Sequence, residues 1–158
     1  RMEFGPRALC NRSIICSAED ANINKTLNKK LKRTEFMPFA PIVLKSEFNK
    51  YFEKIENNPI NSRYMTMTFN CKKNILDLAP AVVHVDKTAR PQIVDKQYNA
   101  RVYKILHEYK KISGFGVLIN TSFNMHEEPI VCSINDAFRA FVSSKLDYLI
   151  IGNRIFKN

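Results

Sequence analysis

Phe115-Gly116-Val117-Leu118-Ile119-Asn120-Thr121-Ser122-Phe123-Asn124-Met125-His126-Glu127-Glu128-Pro129-Ile130 is the stretch that decides the fold. Three apolar residues follow a glycine, which predicts a short buried strand. The run then gives way to residues 120–124, polar except for Phe123 and without a charge. Such a strand end delivers hydroxyls and amides to the carboxyl edge of a sheet, where ligands of open α/β sheets bind. Spacing alone leaves two readings open. One is a hydrogen-bonded turn. The other is a set of neutral donors suited to phosphate oxygens.

Outward from this stretch, helical and strand patterns interleave. Ser13 to Cys16 reads as a strand after the turn at Gly5-Pro6. Ser17 is placed to cap a helix with Glu19 and Asp20 in its early turn and Ile23, Leu27 and Leu31 as its buried stripe. That helix ends in Lys29-Lys30-Leu31-Lys32-Arg33. Pro38 and Pro41 exclude a helix in the next segment, where Phe36 and Phe39 anchor a loop. Strand 42–44 leads to a helix over 47–55 that presents Phe48, Tyr51 and Phe52, then to a loop over 57–62. Residues 64–71 have strand propensity, and 72–80 form a connector. A β-branched run from Ala81 ends in Asp86-Lys87-Thr88-Ala89-Arg90, a second polar strand end, and Gln92 starts another strand. A helix over 97–112 buries Val102, Ile105, Leu106 and Tyr109 and stops at Gly114. Strand 129–132 follows the central stretch. Ser133 and Asp136 have capping-box spacing for a helix to Ser144 with Ala137, Phe138, Phe141 and Val142 apolar. A last strand over 146–151 turns at Gly152-Asn153. This order predicts an α/β (α+β) fold, a mixed sheet with helices packed on it.

A chain of 158 residues is one domain, and 45% hydrophobic content is enough for a core. No apolar run approaches the roughly 20 residues of a membrane span, and the N-terminus has no apolar signal region. The expectation is a cytoplasmic protein with no membrane partner. The chain begins in mid-pattern without Met, which reads as a fragment of a longer protein. Its four cysteines form no CxxC and its three histidines no HxxxH, so no metal site is expected, and the thiols read as buried and reduced. A net charge of +10 attracts polyanions, either nucleic acid or small phosphorylated ligands. Arg7, Arg12, Lys32 and Arg33 together with the strand ends at Arg90 and Ser122 form the expected pocket. It holds no nucleophile–base pair and no paired carboxylates. That composition suits phosphoryl or nucleotidyl transfer by positioning and charge neutralisation.

Four blocks make the reading specific: Met2-Glu3-Phe4-Gly5-Pro6-Arg7-Ala8-Leu9 with Asn11-Arg12-Ser13-Ile14; Pro38-Phe39-Ala40-Pro41; His84-Val85-Asp86 with Thr88-Ala89-Arg90; and Asn120-Thr121-Ser122-Phe123-Asn124 with Glu128-Pro129-Ile130-Val131. In this order they resemble the C-terminal domain of the O-carbamoyltransferases, the nodulation-protein and tobramycin carbamoyltransferase type. The resemblance covers nearly the whole chain. It implies a YrdC-like twisted open mixed sheet flanked by helices, in a domain that binds ATP and carbamoyl phosphate and forms carbamoyl adenylate with release of pyrophosphate. It implies Mg2+ with the nucleotide, and a separate N-terminal domain, metal-bearing with iron, that transfers the carbamoyl group to an acceptor hydroxyl. Through it, Lys32, Arg33, Arg90 and Ser122 become candidate catalytic residues, and Arg7, Arg12, Arg90, Asn120, Ser122 and Asn124 candidate substrate and nucleotide ligands. Lys32-Arg33 stands where the family often has Lys-x-Arg, and Met37 where it often has a further Arg. A homodimer enters by analogy alone. Two other readings remain: an RNA- or polyanion-binding module without catalysis, and a degenerate domain with a structural role.

Overall fold

β6 (Val117–Ser122) is hydrogen-bonded along both edges. The computed structural model describes residues 7–34, 38–53 and 61–158. In it β1 (Ser13–Ser17) and β2 (Ala40–Leu44) flank β6, both antiparallel to it, and β5 (Gln92–Val94) extends the sheet parallel to β2. The strand order is β1-β6-β2-β5. Period-2 alternation then sorts the apolar residues into two cores. Val43, Ile93, Val117 and Ile119 join the larger core, which α1 (Ile23–Lys30) and α5 (Ile134–Ser144) also supply. Ile42, Leu44, Val94 and Leu118 face Val102 and Leu106 of α4 (Ala100–Ser113). With apolar neighbours on both faces, a strand needs a continuous apolar run, and Val117 to Ile119 supplies it. The expected mixed α/β sheet with helices on its faces is the observed architecture.

The helix ends follow their local chemistry. Asn99 Oδ1 accepts the Val102 N–H at the start of α4, and Gly114 closes it at φ +84°, a conformation that favours glycine. Ser133 Oγ accepts the Asp136 N–H while the Asp136 carboxylate accepts the Ser133 N–H, so the expected capping box is present. These donors hold the Asp136 carboxyl below its ordinary range. At the other end of the sheet, the buried carboxylate of Glu47 gathers three elements. It accepts the Gly116 N–H at 3.0 Å and the Tyr51 hydroxyl at 3.4 Å, and Lys110 Nζ lies 2.9 Å away. Burial, with the Glu47 charge, pushes the Tyr51 phenol up to about 12.

Several expectations are corrected. Ser17 belongs to β1, and α1 begins only at Ile23, after a turn in which Asp20 accepts the Asn22 N–H. Within 64–71 only β3 (Phe69–Asn70) is a strand, because Asn61–Tyr64 is a 3₁₀ turn and Met65 adopts φ +56°. The connector contains α3 (Lys73–Leu78). Pro80–Val82 is a 3₁₀ turn, and β4 is only Thr88–Ala89, since Asp86 accepts from both the Thr88 N–H and its hydroxyl and bends the chain. The helix expected over 47–55 is a 3₁₀ turn at Lys45–Glu47 followed by α2 (Phe48–Tyr51), ended by extended Phe52. Strand 129–132 does not form. Val131 N–H bonds Phe123 O, and Cys132 is exposed. The other three thiols are partly buried, and burial pushes Cys16 up to about 11. Ile105 and Val142 face solvent rather than the core. β7 (Tyr148–Ile151) and β8 (Arg154–Lys157) form the expected hairpin. The Gly5-Pro6 turn, Phe36, Met37, Ile55 and the loop at 57–60 lie outside the described residues.

A Cβ at Gly116 would stand 2.8 Å from Glu47 Oε2 and 3.0 Å from Leu44 Cδ1. Gly116→Ala should therefore lower stability by about 1–3 kcal/mol through overpacking at this junction. Urea unfolding checks it: the midpoint falls while the slope stays constant.

Candidate functional site

The apolar lining of β6 ends at Ile119, and the last three residues of the strand open onto a cavity of about 110 Å³. Arg7, Arg33, Arg90, Asn120, Thr121 and Ser122 line it, with Met65, Ala8, Pro38 and Ala40 completing the wall. Arg33 reaches it because of how α1 stops. Lys32 turns to φ +57°, its N–H bonds Lys29 O, and the Arg33 N–H bonds Asn28 O, the paired hydrogen bonds of a Schellman ending. The turn leaves Lys32 exposed and swings Arg33 to the sheet, where Nη2 donates to Thr121 Oγ1 at 3.2 Å and the guanidinium lies 5.4 Å over the Phe39 ring. Arg90 follows β4 directly, and its Nε is buried without a hydrogen-bond partner. Asn120 is fully buried. Its Nδ2 donates to Ala8 O at 3.0 Å and to Gln92 Oε1 at 2.8 Å.

Electrostatically the cavity is one-sided. Among the described residues no carboxylate stands on its wall, and none pairs with Arg7, Arg33 or Arg90. Burial lowers the pKa of Arg33, and burial with the nearby Arg7 charge lowers that of Arg90. Both stay protonated, since guanidinium does not titrate in proteins. Converging forks of N–H donors beside neutral hydroxyls make a receptor for an oxyanion.

The family of the carbamoyltransferase C-terminus matches residues 1–158. An uncharacterised protein of Methanocaldococcus jannaschii is 45% identical over 97% of this chain, which covers 29% of its length. Nodulation protein NolNO of Sinorhizobium fredii is 37% identical over 99% of the chain, 23% of its own length. The chain belongs to the carbamoyltransferase C-terminus family. It spans about a quarter of the length of these relatives. Among solved structures, HypF in its phosphate- and nucleotide-bound form superposes with a TM-score of 0.57 at 20% identity, over 83% of this chain and 20% of that one, which shows a shared fold.

The structure brings together Arg7, Arg33, Arg90, Asn120 and Ser122 of the expected set. The other three stand elsewhere. Arg12 Nη1 donates to Val131 O at 3.1 Å, and its own carbonyl accepts the Phe123 N–H, so it holds down the loop after β6. Asn124 accepts the Ser122 hydroxyl at 2.6 Å and donates to Glu128 O at 2.8 Å, bracing the same loop. Lys32 is the exposed helix-ending residue. Three contributors went unread. Thr121 is the hydroxyl that Arg33 contacts, Gln92 ties Asn120, and Met65 lies against it, with Sδ 3.8 Å from Nδ2. Gln92 carried a signal, a polar residue opening an apolar strand. Met65 carried none. Among the described residues no group of His, Cys, Asp and Glu stands ready to hold a metal ion, and no helix is long and apolar enough to cross a membrane.

Two substitutions test this geometry. Arg90→Met removes a buried orphan donor and a charge facing Arg7, so without phosphate it should raise stability by about 1 kcal/mol. Lys32→Gly relieves a left-handed lysine and should gain about 0.5–1 kcal/mol. Urea titration reads both, and loss of phosphate binding in Lys32→Gly would return Lys32 to the site.

Proposed function

We propose that this domain binds ATP and carbamoyl phosphate at the arginine-lined cavity and forms carbamoyl adenylate, which another part of the full-length protein passes to an acceptor hydroxyl. The observation that carries the reading is the convergence of Arg7, Arg33 and Arg90 on one concave wall with no counter-charge among the described residues. A site built this way neutralises phosphate oxygens, and its stabilisation grows as charge develops on a leaving phosphate. Membership of the carbamoyltransferase C-terminus family supplies the substrate class, and the phosphate- and nucleotide-bound state of HypF, a protein of the same fold, is consistent with it.

The chemistry balances with one water. ATP and carbamoyl phosphate carry four phosphorus atoms; carbamoyl adenylate and pyrophosphate account for three. Water therefore releases orthophosphate and leaves carbamate. A carbamate oxygen then bonds to the α-phosphorus of ATP as the bond to pyrophosphate breaks. Arg33, Arg90 and Arg7 hold the departing phosphates, and the hydroxyls of Thr121 and Ser122 orient them. At about 110 Å³ the cavity is smaller than the roughly 300–1,000 Å³ of sites that enclose drug-sized ligands. It therefore takes the phosphorylated end, with the nucleoside outside its mouth. Among the described residues the wall offers no carboxylate, so Mg2+ would be held by the nucleotide's own phosphates; iron is what the resemblance implies for the N-terminal domain. The acceptor is chosen there as well.

Calorimetric titration with a non-hydrolysable ATP analogue, with and without carbamoyl phosphate, tests the reading. Both should bind the full-length protein, and Arg90→Ala should weaken carbamoyl phosphate about tenfold or more, the loss of one charge-assisted contact. Absence of binding of either ligand overturns the proposal. Retention of RNA that weakens with salt, in place of small-molecule binding, would favour the polyanion-binding reading.

A further inference from the structure

β7 and β8 form a sheet of their own, which no other described strand extends. A lone hairpin is marginal in water and needs a face to pack on. Its inner face has one. Leu149 joins the larger core, and Phe156, directly opposite, packs its ring edge-on against Phe138 of α5 at 4.8 Å. Period 2 then turns Tyr148, Ile150, Ile155 and Lys157 to the other side. Ile150 and Ile155 stand directly opposite each other and are 63% and 69% exposed, and Tyr148, opposite Lys157, is 60% exposed. The apolar surface continues into a groove at the end of α5, lined by Val142, Leu146 and Lys157, with Val142 exposed. Single apolar residues on a surface are ordinary. These are neighbours on one face, between strand edges left open among the described residues.

Three observations bear on what covers it. The relatives match this chain over 97% and 99% of its length, yet it covers only 29% and 23% of theirs, so most of their chain lies outside the matched region. The rim is basic: Lys145 and Lys157 line the groove, and the Asp147 carboxylate that also lines it lies 3.6 Å from Lys30. Lys30 also donates to Lys145 O at 2.8 Å, which fastens the start of the hairpin to the helix end that places Arg33 in the arginine cavity. We infer that the outer face of β7 and β8, with the groove at Val142 and Leu146, is where the remainder of the full-length protein docks, through an apolar patch flanked by carboxylates of its own. Docking there holds the remainder against the element that carries Arg33, a placement suited to a part of the protein that takes a product from that cavity. The surface shares no lining residue with the cavity, so this inference does not rest on the phosphate reading.

Hydroxyl-radical footprinting of the full-length protein reads the face directly. Tyr148, Ile150 and Ile155 should lose most of the reactivity that their exposure in this domain gives them. Oxidation at the rates of the urea-unfolded protein overturns the inference. Ile150→Lys combined with Ile155→Glu identifies the cover, because opposite charges across the pair keep the hairpin while removing its apolar face. The newly oxidised residues should then fall outside residues 1–158, with the sedimenting mass unchanged. A halved mass assigns the face to a second copy of the protein, and new oxidation confined to residues 1–158 assigns it to other segments of this domain; either result overturns the inference. Should the double variant lose cooperative unfolding, Ile155→Thr, which keeps a β-branched residue in the strand, is read in its place.

Discussion

One constraint organises this domain: from Val117 to Asn120, β6 is covered on both faces and buried, so these four residues must suit an interior. For three positions that means Val117, Leu118 and Ile119. At Asn120 an amide enters the same interior, where an unpaired polar group costs about 1–3 kcal/mol. The fold meets half of this demand by bringing Ala8 O and Gln92 to the amide nitrogen, from segments 112 and 28 residues away. The other end of β6 is held as firmly, with the Gly116 N–H on the buried Glu47 carboxylate that also meets Lys110. The strand is thus a rigid rail from a structural ion pair to a polar cavity.

The positive charge of the chain is not uniform in meaning. Lys110 pairs with Glu47, Lys111 with Glu108 and Arg139 with Glu128; Arg63 lies 3.7 Å from Asp95 and stacks 3.5 Å over Tyr98. These cations have structural partners, and most of them are exposed enough to contribute little. Arg33 and Arg90 are partly desolvated and have no carboxylate beside them among the described residues. Holding guanidinium groups in that state opposes stability, and the surrounding packing must offset it. Natural sites accept such a cost where binding needs the group in place beforehand.

How much was legible follows from the range of each signal. The central strand, the Ser133–Asp136 capping box and the Gly114 helix end rest on neighbours within a few residues, and each was readable. The expected strands at 64–71 and 81–85 failed because propensity lost to local turns at Met65, Pro80 and Asp86, of which only the proline announces itself in a run of β-formers. Arg7, Arg33 and Arg90 were singled out by motif, but composition could not separate them from Arg12 and Lys32. Arg12 is used up by a carbonyl 119 residues away, and Lys32 is turned outward by the helix ending that turns Arg33 inward. Neither fact has a trace in local sequence.

The site is also a consequence of how one sheet face is divided. Ile42, Leu44, Val94 and Leu118 lie under α4 and are sealed by Val102 and Leu106. Further along the same face α4 gives way to the chain around residues 7–10 and the turn at Asn61–Tyr64 with Met65, and the side chains beneath become Gln92 and Asn120. A helix would have required apolar partners there; irregular backbone brings carbonyls, which an amide can pair with. Polar strand positions and irregular cover therefore specify each other. Arg7 comes with that chain, and Arg33 and Arg90 arrive from two further segments, so the cavity exists only when distant parts of the chain have all docked. An anion that binds it binds the folded state alone and stabilises the whole domain by mass action. Recognition and completion of the fold are the same event at this wall.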